Sequence, residues 1–295
     1  MDEKTYPEKE ARLNYFESSP NGPPLLLLHG LTFRWQSFRS LISELSKHWH
    51  VYALDFRGHG KSSHAFVQYR YEDLVHDTVE FVTERVGQPA VIFGHSLGAA
   101  VAFAAAGRLR ELAHGLIIAD NFLYHDSSLE ITGQPLLRSM FRGVQRIARL
   151  GQTSDEVLRL LIETRVPLGD SEITLGELFA GKSEFLAAWA ESIAQLDPKA
   201  VEIFFTTLPP EDFDGDTRLK EIGCPILLLQ ANPALGGILP DRDVERLLSI
   251  RPTAIVHQFK ELGHMMHMED PAQIVTVARA FLDSLRSSDQ RNQSL

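Results

Sequence analysis

Ser96 is the residue of this sequence whose surroundings best suit covalent chemistry. It stands in the pattern Gly-His-Ser-Leu-Gly at residues 94–98, after an apolar run at 90–93 and before an alanine-rich run at 99–104. The pattern thus lies between a predicted strand and a predicted helix, where a sharp turn strains the serine backbone and directs its hydroxyl to the helix N-terminus. The same string also occurs in ordinary loops, but these flanking elements favour a nucleophile.

A histidine late in the chain is suited to activate this serine. A serine hydroxyl is a poor nucleophile at neutral pH, so it needs a base that removes its proton and a third group that orients the base. His264 follows Gly263 after the last predicted strand and precedes a helix, which puts it on a loop at the carboxyl edge of the sheet. We predict His264 as the general base. His267 is its rival, although it lies closer to the helix start, where packing is the commoner role.

The elements that must position these residues alternate along the chain. Short apolar runs predict strands at 25–28, 51–54, 90–93, 115–119, 226–229 and 254–259. Helical periodicity is present between them, at 71–86, 97–109, 241–250 and 271–286. This alternation is typical of an α/β fold, with a mostly parallel central sheet flanked by helices on both faces.

The alternation breaks between about residues 122 and 205. We find no convincing strand there, and apolar residues recur at helical spacing. Such a segment is too long for an ordinary loop, so we predict an inserted helical cap over the active site. The predicted division is a core domain of residues 1–121 and 206–295 with a cap of residues 122–205. The polar termini, about 1–10 and 287–295, are expected to fray.

Taken together, these motifs resemble the cap-bearing α/β-hydrolases. The matching pieces are His29-Gly30 after a strand, the run Asp-Phe-Arg-Gly-His-Gly-Lys-Ser at 55–62, the serine turn, and Gly263-His264 with Glu269 and Pro271. The resemblance implies the α/β-hydrolase fold. It also implies an oxyanion hole formed by the backbone N–H groups of Leu31 and Leu97.

The run at 55–62 has a second interpretation. Its end, Gly-Lys-Ser, also closes a phosphate-binding P-loop, which requires another glycine five residues before Gly60. That position is Asp55. We therefore interpret the two glycines of this run as parts of a tight turn after the strand at 51–54.

The acid of the catalytic triad is displaced relative to many members of the family that the chain resembles. Their acid follows the strand that corresponds to 226–229, but the stretch 230–240 contains no carboxylate. Asp241, the next one, stands at a helix start, where capping explains it. Asp120 directly follows the strand at 115–119, a placement similar to that in some haloalkane dehalogenases, lactone hydrolases and cofactor-free dioxygenases. We predict Asp120 as the acid and keep Asp241 as its rival.

Aromatic residues approach the predicted triad from two directions. Some follow His29-Gly30, others follow Asp120, and one lies in the predicted cap. They suggest an apolar pocket. We predict five substrate contacts, which are Phe33, Trp35, Phe122, Tyr124 and Trp189. For Trp35, packing within its own helix is the alternative, and Arg34 is interpreted as a surface residue rather than a partner for a substrate carboxylate.

Composition narrows the possible partners. The formal net charge of the 295 residues is −10, and no basic run opposes it, so we expect neither nucleic acid nor an anionic membrane as a partner. The N-terminus is charged and no apolar stretch approaches the roughly 18 residues of a membrane helix, which predicts a cytoplasmic protein. We find no metal-ligand spacing and no dinucleotide motif, so we expect chemistry on a small-molecule substrate without metal or cofactor.

These observations predict a serine hydrolase. It would cleave a carboxylic ester or lactone of a small to medium apolar substrate through an acyl-Ser96 intermediate. The alternatives are a carbon–carbon bond hydrolase of a vinylogous diketone, a cofactor-free dioxygenase, and a ligand-binding receptor on the same fold. The sequence leaves the physiological substrate and the oligomeric state open.

Overall fold

Ten strands are present in the computed structural model, which describes residues 3–7, 11–64, 68–151, 153–206 and 214–293. Eight of them form one sheet in the order β1-β2-β4-β3-β5-β6-β9-β10, and β7 pairs with β8 in a separate hairpin. The strands from β4 to β10 of this order run parallel, while β1 and β2 add antiparallel at one edge. In chain order the strands are β1 (Glu3–Pro7), β2 (Arg12–Glu17), β3 (Pro24–Leu28), β4 (His50–Leu54), β5 (Ala90–His95), β6 (Ala113–Ala119), β7 (Arg165–Leu168), β8 (Ser171–Thr174), β9 (Ile226–Gln230) and β10 (Ile255–Gln258).

Helices cover both faces of the sheet. On one face α1 packs against α13, and on the other α2 and α10 pack against α3. In chain order the helices are α1 (Arg39–Leu45), α2 (Tyr71–Glu80, extended by a π-helical turn, Phe81–Val86), α3 (Leu97–Leu109), α4 (His125–Gly133), α5 (Pro135–Ala148), α6 (Ser154–Glu163), α7 (Leu175–Leu178), α8 (Ser183–Ile193), α9 (Ile203–Thr206), α10 (Gly215–Glu221), α11 (Asp241–Ile250), α12 (Met266–Glu269) and α13 (Pro271–Gln293). None of the described helices is long and apolar enough to cross a membrane.

The central strands are buried on both faces. In β3, Leu26 and Leu28 belong to the apolar core under α2 and α3, whereas Leu25 and Leu27 belong to the core under α1 and α13. Side chains of a strand alternate between the two faces of the sheet. When helices cover both faces, every side chain of the strand is buried, and its sequence is an unbroken apolar run. This is why the apolar runs in the sequence predicted the central strands.

The predicted α/β fold is confirmed, and its differences from the structure lie at the edges. The six predicted strands and four predicted helices are present. The expectation of a frayed N-terminus was wrong for residues 3–7, which form β1. The segment was predicted to fray because its residues are polar and charged, but an edge strand tolerates charged residues. At the other end α13 continues to Gln293, and only residues 294–295 lie outside the described residues.

Residues 122–206 form an inserted segment between β6 and α10. It contains α4 to α9, as helical periodicity predicted, but also the β7–β8 hairpin that the sequence analysis missed. The hairpin strands have four residues each, too few to establish an alternating pattern. Within the segment, α6 packs on α8, and α5 packs on β7 and α6.

The turn from β5 into α3 brings three stretches of backbone into close contact. A Cβ atom on Gly98 would lie 2.1 Å from the carbonyl oxygen of Leu28, and one on Gly94 would lie 2.1 Å from the carbonyl oxygen of Gly98. Both neighbours are backbone atoms that cannot rotate away. Glycine is therefore required at both positions for α3 to start against the end of β3.

Gly98→Ala should destabilise the fold. We expect the free energy of unfolding to fall by about 2–3 kcal/mol, because the methyl group must push α3 away from β3. Gly133→Ala in α4 is the matched control, since nothing lies within 4 Å of its Cβ position. It should be neutral or slightly stabilising. Urea unfolding followed by circular dichroism measures both, and equal midpoints for the two variants would contradict the close contact.

Candidate active site

Ser96 occupies the turn between β5 and α3 in a strained conformation. β5 ends at His95 and α3 begins at Leu97, and Ser96 between them has φ 52° and ψ −121°. Its N–H donates to the carbonyl of Ala119 at 3.0 Å. Such a left-handed backbone costs about 1–3 kcal/mol for a residue with a side chain and persists only where its surroundings impose it. Here the buried strand and helix on either side impose it.

Asp120 follows β6 and is fully buried. Its carboxylate accepts hydrogen bonds from the backbone N–H groups of Ala231 at 3.1 Å, Ile238 at 2.9 Å and Leu239 at 3.3 Å. Its Oδ2 also accepts from His264 Nδ1 at 2.7 Å. Like Ser96, Asp120 has a positive φ, of 45°. The loop after β9 thus wraps the carboxylate, and the strained backbone directs it toward His264.

The hydrogen bond to Asp120 also sets the orientation of the histidine. With its Nδ1 proton directed at the carboxylate, His264 keeps Nε2 as an acceptor. His264 and Ser96 line the same cavity. The rival acid is elsewhere, because the Oδ1 atom of Asp241 accepts from Gln230 Nε2 at 2.7 Å. The structure therefore brings Asp120, and not Asp241, to the histidine.

Two further histidines pack behind His264. His95 lies between them, with ring centroids 4.7 Å from His264 and 4.3 Å from His267, and its Nε2 donates to the carbonyl of His264 at 2.8 Å. His267 packs on Phe38, and neither of its ring nitrogens has a hydrogen-bond partner among the described residues. Burial lowers the pKa of His267 to about 3 and holds the pKa of His95 well below its usual range. His267 is thus a packing residue, whereas His95 holds the backbone of the histidine loop.

A second pair of buried histidines shapes the loop after β3. His29 donates from Nδ1 to the carbonyl of Gly30 at 2.8 Å and accepts the Phe56 N–H at 3.1 Å through Nε2. His59 Nε2 accepts the Thr32 N–H at 3.3 Å. Burial lowers the pKa of His59 to about 4, so it is neutral at physiological pH and can accept this bond. These contacts hold the loop in its turn.

This loop and the start of α3 each contain a backbone donor beside the cavity that has no acceptor among the described residues. The Thr32 and Phe33 N–H groups are engaged by His59 and Gly30, whereas that of Leu31 makes no hydrogen bond among the described residues. Leu97 is the first residue of α3, so its N–H has no intrahelical acceptor. Leu31 and Leu97 both line the cavity beside Ser96. The structure thus brings together the two residues for which the resemblance implied an oxyanion hole.

A cavity of about 430 Å³ lies between the carboxyl edge of the sheet and the inserted segment. Of the predicted substrate contacts, Phe33, Phe122 and Trp189 line it. The Trp189 indole N–H donates to Thr32 Oγ1 at 2.9 Å, which ties the inserted segment to the loop after β3. The remaining wall is mainly apolar, with contributions from Ile131, Leu136, Leu137, Met140, Phe141, Leu178, Phe179, Phe185, Phe204, Leu235, Ile238 and Met265.

Trp35 and Tyr124, which were also predicted to contact substrate, are not among the described residues that line this cavity. Trp35 stacks on Phe16 with centroids 5.1 Å apart, and its indole N–H donates to Glu3 at 3.0 Å. The Tyr124 ring lies under the Arg246 guanidinium, 4.0 Å from it. Sequence proximity to the triad was the only signal for these two residues, and it does not determine the direction of a side chain.

The structure adds an ion pair that the sequence analysis did not assign. Lys182 of the inserted segment donates to Glu269 at 2.8 Å, and both line the cavity. They are separated by 87 positions, so no local pattern connects them. Arg34, interpreted as a surface residue, pairs with Glu191 on α8. The described residues contain no cluster of His, Cys, Asp or Glu that could hold a metal ion.

Replacing His267 should change how stability depends on pH. The folded state keeps His267 neutral down to about pH 3, whereas an unfolded histidine takes up a proton near pH 6.5. Between these values the unfolded state binds more protons, so stability falls as the pH falls. His267→Phe should reduce this slope by one proton, about 1.4 kcal/mol per pH unit. Urea unfolding at pH 6.5, 5.5 and 4.5 measures the slope; the exposed His48→Gln control should leave it unchanged, and an unchanged slope for His267→Phe would refute the buried neutral state.

Comparisons with known proteins agree with this architecture. The chain is 35% identical over 100 residues to a probable alcohol acetyltransferase of Cyberlindnera fabianii, covering 33% of this chain and 27% of that protein. Alignments with the first curated relatives span about a third of their length. The structure resembles N-formylmaleamic acid deformylase from Pseudomonas putida S16, with TM-score 0.73, 21% identity and coverage of 93% and 99% of the two chains. It also resembles an enol-lactonase from Burkholderia xenovorans LB400, with TM-score 0.69, 16% identity and coverage of 95% and 100%.

A family model agrees over a much longer part of the sequence. The model described as the alpha/beta hydrolase family matches residues 25–277. This range includes β3 through α12, and therefore the serine turn, Asp120 and His264 together. Because the match spans most of the chain, this protein belongs to the α/β-hydrolase family.

Proposed function

We propose that this protein is a serine hydrolase that cleaves a carboxylic ester or lactone of a small to medium apolar substrate through an acyl-Ser96 intermediate. The observation that carries the proposal is the 2.7 Å hydrogen bond between His264 and the buried Asp120, in a cavity that Ser96 also lines. A histidine oriented by a buried carboxylate beside a strained serine is the arrangement that activates a hydroxyl for attack on a carbonyl.

In the proposed reaction each residue has one role. Ser96 Oγ attacks the carbonyl carbon while His264 Nε2 takes its proton, and Asp120 stabilises the imidazolium that results. The negative charge on the carbonyl oxygen is stabilised by the N–H groups of Leu31 and Leu97. His264 returns the proton to the departing alkoxide. A water molecule, deprotonated by His264, then attacks the acyl group; the bond to Ser96 Oγ breaks, His264 returns the proton to Ser96 Oγ, and the acid is released.

The wall of the cavity supports an apolar substrate. Phe33, Phe122 and Trp189, with the aliphatic side chains of α5, offer dispersion contacts and few hydrogen bonds. Lys182, a cation in this wall, is already neutralised by Glu269. We include the predicted division in the proposal: residues 122–205 act as a cap that closes over the substrate, on a core of residues 1–121 and 206–295.

Transfer of the acyl group to an alcohol is a second candidate function. It is favoured by the similarity to a probable alcohol acetyltransferase over 100 residues. An apolar, covered cavity also excludes water from the acyl-enzyme, which gives an alcohol an advantage as acceptor. Ethyl ester formation in the presence of ethanol, measured against free acid, distinguishes transfer from hydrolysis. A carbon–carbon bond hydrolase would instead cleave a vinylogous diketone, a cofactor-free dioxygenase would consume oxygen, and a receptor would bind its ligand without turnover.

Ser96→Ala should abolish hydrolysis. Against p-nitrophenyl esters of increasing acyl length and a set of lactones, we expect kcat to fall by about 10⁴-fold or more, since no other group can form the acyl intermediate. Ser249→Ala is the control and should behave as wild type, because this hydroxyl donates to the carbonyl of Arg246 in its own helix. Mass spectrometry should find the acyl group on Ser96. Turnover that survives the Ser96→Ala change would exclude the mechanism.

Asp120→Asn and Asp241→Asn should differ sharply. The asparagine at 120 can still accept a backbone N–H, but its amide cannot stabilise the imidazolium, so we expect kcat to fall by about 10⁴-fold. Asp241→Asn should retain activity within about twofold, because its partner is Gln230. Steady-state kinetics, with circular dichroism to verify folding, measures both. The opposite ranking would make Asp241 the acid.

A further inference from the structure

Glu269 contacts both the loop that carries His264 and the proposed cap. Its Oε2 accepts the Gly263 N–H at 2.7 Å, and its Oε1 accepts Lys182 Nζ at 2.8 Å. Gly263 directly precedes His264, whereas Lys182 lies just before α8 in the cap. One carboxylate thus joins the histidine loop to the cap.

The histidine loop is held on both sides of His264. Glu269 takes the N–H of the residue before it, and the carbonyl of His264 itself accepts His95 Nε2 at 2.8 Å. The loop also lies close to its neighbour, since a Cβ atom on Gly263 would be 2.4 Å from the carbonyl oxygen of Leu235. The Glu269 contact is therefore one of three restraints on the backbone from which the His264 ring projects.

The ion pair belongs to the wall of the catalytic cavity. Among the described residues that line the cavity, Lys182 is the only lysine or arginine and Glu269 the only carboxylate. Their side chains are 47% and 20% exposed, so the pair lies where the cavity meets solvent. An outward movement of this segment would therefore separate Lys182 from Glu269 and leave the carboxylate to water.

We propose that Glu269 is a positioning residue that couples closure of the cap to the orientation of His264. In the closed state Lys182 holds the Glu269 carboxylate in the rotamer that accepts the Gly263 N–H, and the loop presents His264 to Ser96. In the open state this restraint is lost. The inference rests on the proposed function, because the histidine it positions is the proposed general base.

Three variants separate the two contacts. Lys182→Met removes the cap contact and should raise KM about two- to fivefold, the range expected for a partly exposed ion pair. It should also lower kcat by about two- to fivefold, because Glu269 is no longer held against Gly263. Glu269→Gln keeps an oxygen for the Gly263 N–H but loses the ion pair, and it should behave in the same way. Glu269→Ala loses both contacts and should lower kcat further, by about tenfold or more, because a misplaced base is costly.

Two combinations test the coupling. Lys182→Met with Glu269→Gln should be no worse than either change alone, since both remove the same ion pair. The exchange Lys182→Glu with Glu269→Lys restores the pair without an acceptor for Gly263, so KM should recover while kcat stays low. Lys47→Met is the matched control, because Lys47 pairs with Glu44 on the surface of α1, and it should leave both constants unchanged.

The rate at which a fluorophosphonate labels Ser96 provides a readout that needs no ester substrate. It should fall most for Glu269→Ala, and by about two- to fivefold for Glu269→Gln and for Lys182→Met. If wild type is labelled but turns over no ester or lactone, the proposed function fails while this inference is still tested by the labelling rates. Equal kcat and labelling rates for Glu269→Ala and Glu269→Gln, an unchanged kcat and labelling rate for Lys182→Met, or additive effects in the double variant would each overturn the coupling.

Discussion

The close crossing of α3 over the end of β3 is the constraint on which the site depends. The helix can start there only because Gly94 and Gly98 have no side chains, since a Cβ atom on either would overlap backbone at 2.1 Å. With the helix held that close, the single residue between β5 and α3 must turn through a left-handed conformation, and Ser96 does so at φ 52°. The strain is sustained by the burial of the strand and the helix. The same geometry directs the first N–H of α3 to the cavity.

Neutral buried histidines organise the loops around this turn. His29 and His59 each use one ring nitrogen as donor and the other as acceptor, which requires the uncharged form, and burial supplies that form by lowering the pKa of both. His95 holds the histidine loop with one hydrogen bond, which its Nε2 donates to the carbonyl of His264. The hydrogen bonds of these histidines hold the loops in place beside the serine. The surrounding core shields these imidazole rings from water and so keeps them uncharged.

The inserted segment contributes the apolar wall and two polar connections to the core. Trp189 reaches Thr32 on the loop after β3, and Lys182 reaches Glu269 near the histidine loop. One connection ends on the loop after β3, and the other ends at Glu269, the last residue of α12, which accepts the Gly263 N–H next to His264. The inserted segment is therefore linked by hydrogen bonds to the surroundings of both Ser96 and His264.

The sequence by itself determined the central strands, the long helices, and Ser96 and His264 as candidates, because apolar periodicity and the glycine-flanked turn are local properties. It also placed Asp120 at the correct sheet edge, since parallel strands end side by side. The edge strand β1 and the β7–β8 hairpin could not be predicted, because polar edges and very short strands have no distinct period. The direction of the Trp35 and Tyr124 side chains could not be predicted either, because proximity in sequence does not determine it. The pairing of Lys182 with Glu269, 87 positions apart, was decided only by the tertiary structure. Side chains so distant in sequence meet only when the inserted segment packs against the core.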